Sequence, residues 1–528
     1  MDSQKLKIIL IITLGAFLAL YLGVAAATAQ DEAIAWVCGV ATLVGLLYLG
    51  RHVWVLIPLG LCLSGNLNCI PGAPLAWYIA TPLAAIFLLL RFATRAPNFL
   101  WRWTWLDTLV LLNVLMLVQA YMRNPTGLHI LGGVGGNIGG KTYFDYLIVT
   151  SGFYILSTVK TEWKIVRRVL YIMVGIQVCD GLLGAATSFS SGLAAVVSHV
   201  YSNVDYDSAI SGLTDGMGVG TGYNIDTRFT NLPLCGLSLG LICCTFWRPI
   251  TSLNLVRPYR PLILMLALAA LMMSGFRSQL MRFFLFFIAG TAARRKPLDL
   301  VMAAAMGVVL ICIVLVGGFA QNLPFAAQRS LSFLPIGVSE GAKHQGEQSS
   351  DWRFDMWRLA LTTDRYIHNK LLGDGFGFSA AELRVNLDPT KIQTAQQQQD
   401  FFMSKGSYHG FHVECIRFVG AIGLLICTCI LFVCSAKAWQ LIRYFEGRPG
   451  WTAVLFLCVP YLIEPIQYWW LFGSYKGNFM PYLLGVGLLK LLDNIRVAEL
   501  ADARALAVQA TEPKDAWVAL RQQPVRGG

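Results

Sequence analysis

Three stretches decide how this chain reads: DWRFDMWRLAL at 351–361, LLGDGFGFS at 371–379 and YHGFHVECIRFVGAIGLL at 408–425. They close the longest polar segment of a chain that is otherwise almost wholly apolar. They carry an Arg on a Trp-rich helix, a Gly-rich turn, and a His at the mouth of an apolar helix. The upstream sequence reads as a scaffold that sets this stretch on one face of a membrane.

Composition agrees. Hydrophobic residues make up 56% of the 528 residues and charged residues only 13%, with a mean hydropathy of +0.59. A soluble domain carries about 25% charged residues. The length would hold several soluble domains, but apolar runs recur from end to end. The expectation is one all-α polytopic membrane domain over 1–528. The net charge of +12 then belongs to cytoplasmic loops, and no nucleic-acid partner is expected. The thirteen Cys form neither a disulfide framework nor a metal-spaced CxxC pair. Those at Cys38, Cys243, Cys244, Cys312, Cys427, Cys429 and Cys434 lie inside apolar runs, where Cys is a small apolar residue.

A span needs roughly 20 apolar residues, fewer where neighbours cover its ends. Spans are placed at 7–29, 33–49, 53–69, 75–90, 106–122, 143–159, 169–187, 230–247, 261–276, 279–293, 299–319, 411–435, 451–470 and 478–492, about 14 in all (12–14). The first follows Lys5 and Lys7 and ends AAATAQ. That ending is also the form of a signal-peptide cleavage site, but the run is longer than a usual signal core, so it reads as a retained helix.

Charge sets the orientation. Alternate gaps carry Arg51, Arg91, Arg95, Arg102, Lys160, Lys164, Arg167, Arg168, Arg248, Arg257, Arg260, Arg294, Arg295, Lys296, Lys437, Arg443 and Arg448. The opposite short gaps carry little beyond Arg123, Lys141 and Lys476. Both termini are therefore expected in the cytoplasm, with 493–528 a cytoplasmic tail. Three loops face outward: the Gly-rich 127–142, the polar 188–228, and the large loop 320–410. Six of the seven His fall on that face. No internal repeat of the transporter kind is present.

Within the large loop, Ser350 or Asp351 is placed to cap a helix running to about Thr363. Trp352, Met356, Leu359 and Thr363 share one stripe, with Arg353 and Trp357 on the next. This reads as an amphipathic helix lying on the membrane, its indoles at headgroup depth.

Order and spacing here resemble the O-antigen ligase and O-antigen polymerase superfamily. The resemblance rests on Arg353 through Trp357, the Leu371–Gly375 turn, and His409 followed by Gly420, Gly423 and Leu424. It covers roughly 270–435, and the span layout extends it. Two departures stand: Phe276-Arg277-Ser278 lacks the family's preceding Ser, and Gly410 follows His409 where the family has Asn or Ser. The resemblance implies a metal-independent GT-C-type glycosyltransferase without a cofactor. It would move glycan from an undecaprenyl diphosphate carrier to an acceptor hydroxyl at the periplasmic face of a bacterial inner membrane.

That chemistry asks for a base and for cations on the leaving diphosphate. His409 fits the first role; Arg277 and Arg353 fit the second, since guanidinium binds phosphate oxygens bidentately. Each has a plainer reading: His409 as an interfacial residue, Arg277 as a snorkelling turn residue, Arg353 as a headgroup anchor. Arg282 is a candidate second phosphate ligand. His412 either orients His409 or caps a cavity. Arg417 is expected to pair with Glu414, and Glu464 to partner an Arg. Trp357 is a supporting candidate. Lys141 is a candidate contact on a Gly-rich lid that lacks the strand-to-helix setting of a phosphate loop.

The expected partners are the lipid-linked donor, a glycan or lipid acceptor, membrane lipids and other polysaccharide assembly proteins. Polymerisation of lipid-linked repeat units is favoured over ligation to lipid A core. A lipid-linked oligosaccharide flippase is the alternative from another class. It suits the many spans, but it would keep its charges near the midplane.

Overall fold

Backbone amides inside a hydrocarbon layer must find partners within their own segment, which leaves apolar runs helical. The computed structural model describes residues 37, 39–40, 45, 48–70, 72–93, 100–126, 139–202, 229, 231–299, 301, 319–334, 337–377, 400, 402–404, 406–471 and 473–511. Its helices, in chain order, are α1 (Leu56–Leu61), α2 (Ala76–Ala93), α3 (Trp105–Arg123), α4 (Gly140–Thr158), α5 (Trp163–Phe189), α6 (Ser191–Ser198) and α7 (Leu232–Thr245). There follow α8 (Tyr259–Met273), α9 (Arg277–Ala293), α10 (Phe325–Leu331), α11 (Glu340–Thr362), α12 (Phe411–Phe445), α13 (Trp451–Ile466) and α14 (Met480–Thr511).

The protein is mostly helical, and four of its helices are long and apolar enough to cross a bilayer: Trp105–Arg123, Trp163–Phe189, Phe411–Phe445 and Trp451–Leu471. Shorter apolar helices run over His52–Leu61, Ala76–Leu89, Leu232–Thr245 and Tyr259–Met273. The expected span 7–29 and most of 33–49 and 299–319 lie outside the described residues, as does most of the Gly-rich loop.

The expected span 53–69 is not one helix. α1 stops at Leu61, and the chain turns into β1 (Asn66–Leu67), which pairs antiparallel with β2 (Tyr201–Ser202). The physical reason is Asp180, buried on α5. Its carboxylate accepts from Ser64 N (3.1 Å), Ser64 Oγ (2.6 Å) and Tyr201 Oη (2.5 Å). Three donors on one carboxylate hold the polar turn that a continuous helix would have to bury unpaired.

The helix of the large loop starts earlier than its sequence suggests. Its N-cap is Ser339, not Ser350 or Asp351, and Glu340 sits in its first turn, where the helix dipole favours an acid. Ser350 is interior and bonds back to Gly346 O at 3.3 Å. Nor is α11 simply laid on a surface. Met356 and Ala360 are fully buried in a satellite core with Tyr366, Ile367, Phe402, Met403, Tyr408 and Val413.

α12 is the central element, packed along α13, α3 and α14, while α14 packs along α4. At 35 residues it is about 52 Å long, well beyond a hydrocarbon thickness of about 30 Å. It is interrupted at Gly420, whose φ is +77°.

Candidate functional site

The Gly420 break decides the local geometry. A broken helix leaves orphan carbonyls before the break and orphan amides after it. The segment 369–375 supplies both kinds of partner. Asp374 N and Gly375 N donate to Arg417 O (2.7 Å) and Phe418 O (3.1 Å), and Ala421 N and Ile422 N donate to Lys370 O (2.8 Å) and Leu371 O (3.3 Å). Close approach requires glycine on both sides. Gly373, at φ +74°, would place a Cβ 2.5 Å from Gly420 N. The two glycine motifs of the sequence are thus the two halves of one contact.

α3 and α4 grip the same turn from outside. Gln119 Nε2 donates to Leu372 O at 2.6 Å, and Arg123 NH2 donates to Leu372 O (3.1 Å) and to Gly373 O. Asn124 Nδ2 donates to Asp374 O at 3.0 Å. Phe376 N donates to Tyr143 Oη at 3.0 Å.

α11 lies over the start of α12. Trp357 Nε1 donates to Tyr408 O at 2.7 Å. The Trp357 indole rests against Gly410, where a Cβ would sit 2.7 Å from the ring. This accounts for Gly following His409 here: an Asn or Ser side chain would collide with Trp357. His409 itself has φ +49°, a conformation that costs an L-residue about 1–3 kcal/mol and persists only where surroundings enforce it. Its ring packs on Phe402 (5.1 Å) and Trp352 (5.7 Å). His412 lies between Trp357 (4.6 Å) and Trp469 (6.0 Å), and its Nδ1 is buried without a hydrogen bond among the described residues.

Arg277 opens α9 and reaches the same helix: its NH2 donates to Gly346 O at 2.8 Å and to Ser350 Oγ at 3.3 Å. Arg353 follows Ser350 by one turn. Arg277 and His409 therefore meet different sides of the α11 stretch that carries Arg353: Arg277 at Gly346 and Ser350, His409 at Trp352, since residues two apart on a helix do not share a face.

The other candidates lie elsewhere. Arg282, one turn deeper on α9, stands over the Phe286 ring at 5.4 Å and interacts electrostatically with Glu464. Glu464, nearly buried on α13, is thus near an arginine. Lys141 stands exposed on the first turn of α4, with no hydrogen bond or ion pair among the described residues. The lid segment 127–138 lies outside those residues.

The expected Arg417–Glu414 pair is not formed. Glu414 accepts from Ser474 Oγ (2.8 Å) and Tyr475 N (2.7 Å). Arg417 pairs instead with Asp374 at 3.0 Å and donates to Gly377 O at 3.2 Å. Helical spacing brings Glu414 and Arg417 to one side, but Ser474 and Tyr475 hold the Glu414 carboxylate, and the inserted turn supplies Arg417 with that of Asp374. Asp374 also accepts from His368 N (2.7 Å) and Asn369 N (2.9 Å). Sequence reasoning missed it; its one signal is an acid between two glycines.

Outside the membrane-spanning helices, Tyr366 and Arg365 latch the chain before His409. Tyr366 donates to Asp400, and Arg365 lies 3.6 Å from that carboxylate. Burial first, then the Asp400 hydrogen bond and charge, push the Tyr366 hydroxyl well above its ordinary value, so it remains a donor. No group of three or more His, Cys, Asp and Glu side chains converges among the described residues. No protein-family model matches the chain, and no curated protein matches it.

Proposed function

We propose that the chain is a GT-C-type membrane glycosyltransferase of about 14 spans (12–14) that polymerises lipid-linked oligosaccharide repeat units. The observation that carries this reading is that Arg277 and His409 both contact α11, the helix that carries Arg353, beside the mouth of α12. The donor is a glycan on undecaprenyl diphosphate; the acceptor is a hydroxyl of a second lipid-linked repeat unit. His409 takes the proton of that hydroxyl as its oxygen attacks the anomeric carbon. The bond from that carbon to the diphosphate oxygen breaks, and the electron pair leaves with undecaprenyl diphosphate. Arg277 and Arg353 hold the leaving oxygens with charge-assisted bonds that strengthen as negative charge develops.

In this reading both termini are cytoplasmic, the membrane is the bacterial inner membrane, and α11 faces the periplasm. The rule that Lys and Arg stay inside supports the orientation.

The test is transfer in vitro from a lipid-linked donor by purified enzyme, with lipid-linked repeat units or lipid A core as acceptor. His409→Ala is expected to lose roughly 100- to 10,000-fold in rate and still bind donor, because the arginines hold the diphosphate. A fully active His409→Ala enzyme removes the base assignment. Transfer to lipid A core alone makes the enzyme a ligase.

A further inference from the structure

At the far end of α12 lies a second charged cluster that the proposed reaction does not use. Asp493, 3% exposed on α14, faces three cations. Arg102, just before α3, pairs with it through NH2 and donates from Nε to Asn494 Oδ1 at 2.8 Å. Lys437 of α12 places Nζ 3.3 Å away. Arg496 donates to Oδ1 from Nε (2.9 Å) and NH2 (2.7 Å). Beside them Lys490 and Asp107 form a pair that cancels its own charge.

One carboxylate does not neutralise three cations, so among the described residues the cluster holds two positive charges in excess. The cations keep side-chain exposures of 27%, 29% and 21% for Arg102, Lys437 and Arg496, so each presents part of its surface outward. Among the described residues, NH1 of Arg102 and NH1 of Arg496 make no hydrogen bond. Donors and charge remain for a further anion.

Depth identifies the anion. Arg102 precedes α3, whose 19 unbroken residues make about 28 Å of helix, close to a hydrocarbon thickness of about 30 Å, and whose far end, Arg123, holds the 369–375 turn. The cluster therefore sits at the opposite membrane boundary from His409. Its surroundings carry the aromatic signature of that boundary: Trp101 (70%), Trp103 (49%) and Trp105 (78%) are exposed in the segment around Arg102. Indole rings gather at headgroup level. An anion at that level, with acyl chains beside exposed indoles, is a lipid phosphate.

We propose that Arg102, Lys437 and Arg496 bind the phosphate of an anionic phospholipid, with Trp101, Trp103 and Trp105 lying along its glycerol and upper acyl region. The site is independent of the glycosyltransferase reading.

The test titrates full-length protein in neutral micelles with short-chain phosphatidylglycerol, following Trp fluorescence. Phosphatidylcholine and inorganic phosphate run in parallel. Lys437→Gln with Arg496→Gln leaves the Arg102–Asp493 pair intact. Each cation near an anionic headgroup strengthens binding about fivefold, so the double variant should bind phosphatidylglycerol about 30-fold more weakly. Its phosphatidylcholine titration should match wild type. If the double variant is not monodisperse, Lys437→Gln alone decides, with a loss of about fivefold. Equal affinity for the two lipids, undiminished binding by the variant, or the same response to inorganic phosphate alone overturns the proposal.

Discussion

Replacing Asp374 by Asn tests the contact on which the site's scaffold rests. Asp374 is 4% exposed and Arg417 7%, and their charged atoms are 3.0 Å apart. The carboxylate also serves two backbone amides, His368 N and Asn369 N. Asn keeps the shape but has one acceptor oxygen, and its NH2 must face a donor. Breaking a buried pair from one side costs about 3–5 kcal/mol, because the remaining charge is left uncompensated. Arg417→Gln should cost a similar amount. The double variant leaves no buried charge, so its loss should fall short of the sum of the single losses by about 1.5–3 kcal/mol. Membrane proteins of this size often unfold irreversibly, so the assay is the unfolding rate at fixed temperature in one detergent. Asp374→Asn unfolding at the wild-type rate, or single losses that add within about 0.5 kcal/mol, would refute the pairing as a stabilising contact.

Further outcomes follow from the same geometry. Gly373→Ala places a Cβ 2.5 Å from Gly420 N; since both sides are backbone, at least about 2 kcal/mol of stability should be lost, read as a faster unfolding rate. Arg277→Lys keeps the charge and loses the guanidinium fork; loss of one charge-assisted contact, about 2–4 kcal/mol, should slow transfer about 30- to 1000-fold at normal membrane levels. Near-normal transfer makes Arg277 a structural tie between α9 and α11. A cysteine near Gln345 should be labelled from the periplasm and one near Lys296 only after permeabilisation; labelling of both from one side contradicts the topology.

Parts of this architecture were legible because they rest on local physics. The runs that became α3, α5, α12 and α13 are apolar enough to leave the backbone no partner but itself. Arg353 and Trp357 share a helix, as their spacing implies. The first half of α11 was hidden because its contacts are small: it buries Ala342 and rests Gly346 against Ser332 and Arg277, with no apolar stripe to announce it. The partner of Arg417 was hidden for a different reason. Glu414 is its neighbour by helical spacing, yet long-range insertion of the 369–375 turn outbids that proximity, and nothing local encodes the Gly420 break except the glycine. Gly410 was read as a departure from a pattern; the Trp357 ring that explains it lies 53 residues earlier in the chain.

A substitution that keeps the backbone at His409 tests a catalytic against a structural role for its ring. His409 holds φ +49°, a conformation that Gly or Asn adopts at less cost. Against that saving stands the ring packing on Trp352 and Phe402, where an aromatic pair contributes about 0.5–1.5 kcal/mol. The two terms nearly cancel. His409→Asn should therefore unfold at close to the wild-type rate while its transfer falls as far as that of His409→Ala, because Asn keeps the left-handed backbone but takes no proton. Unfolding rate and transfer rate are measured on the same preparation. If His409→Asn transfers normally, the ring is interfacial packing. If it loses transfer only in proportion to a large loss of stability, the strained backbone is a consequence of the fold and carries no functional weight.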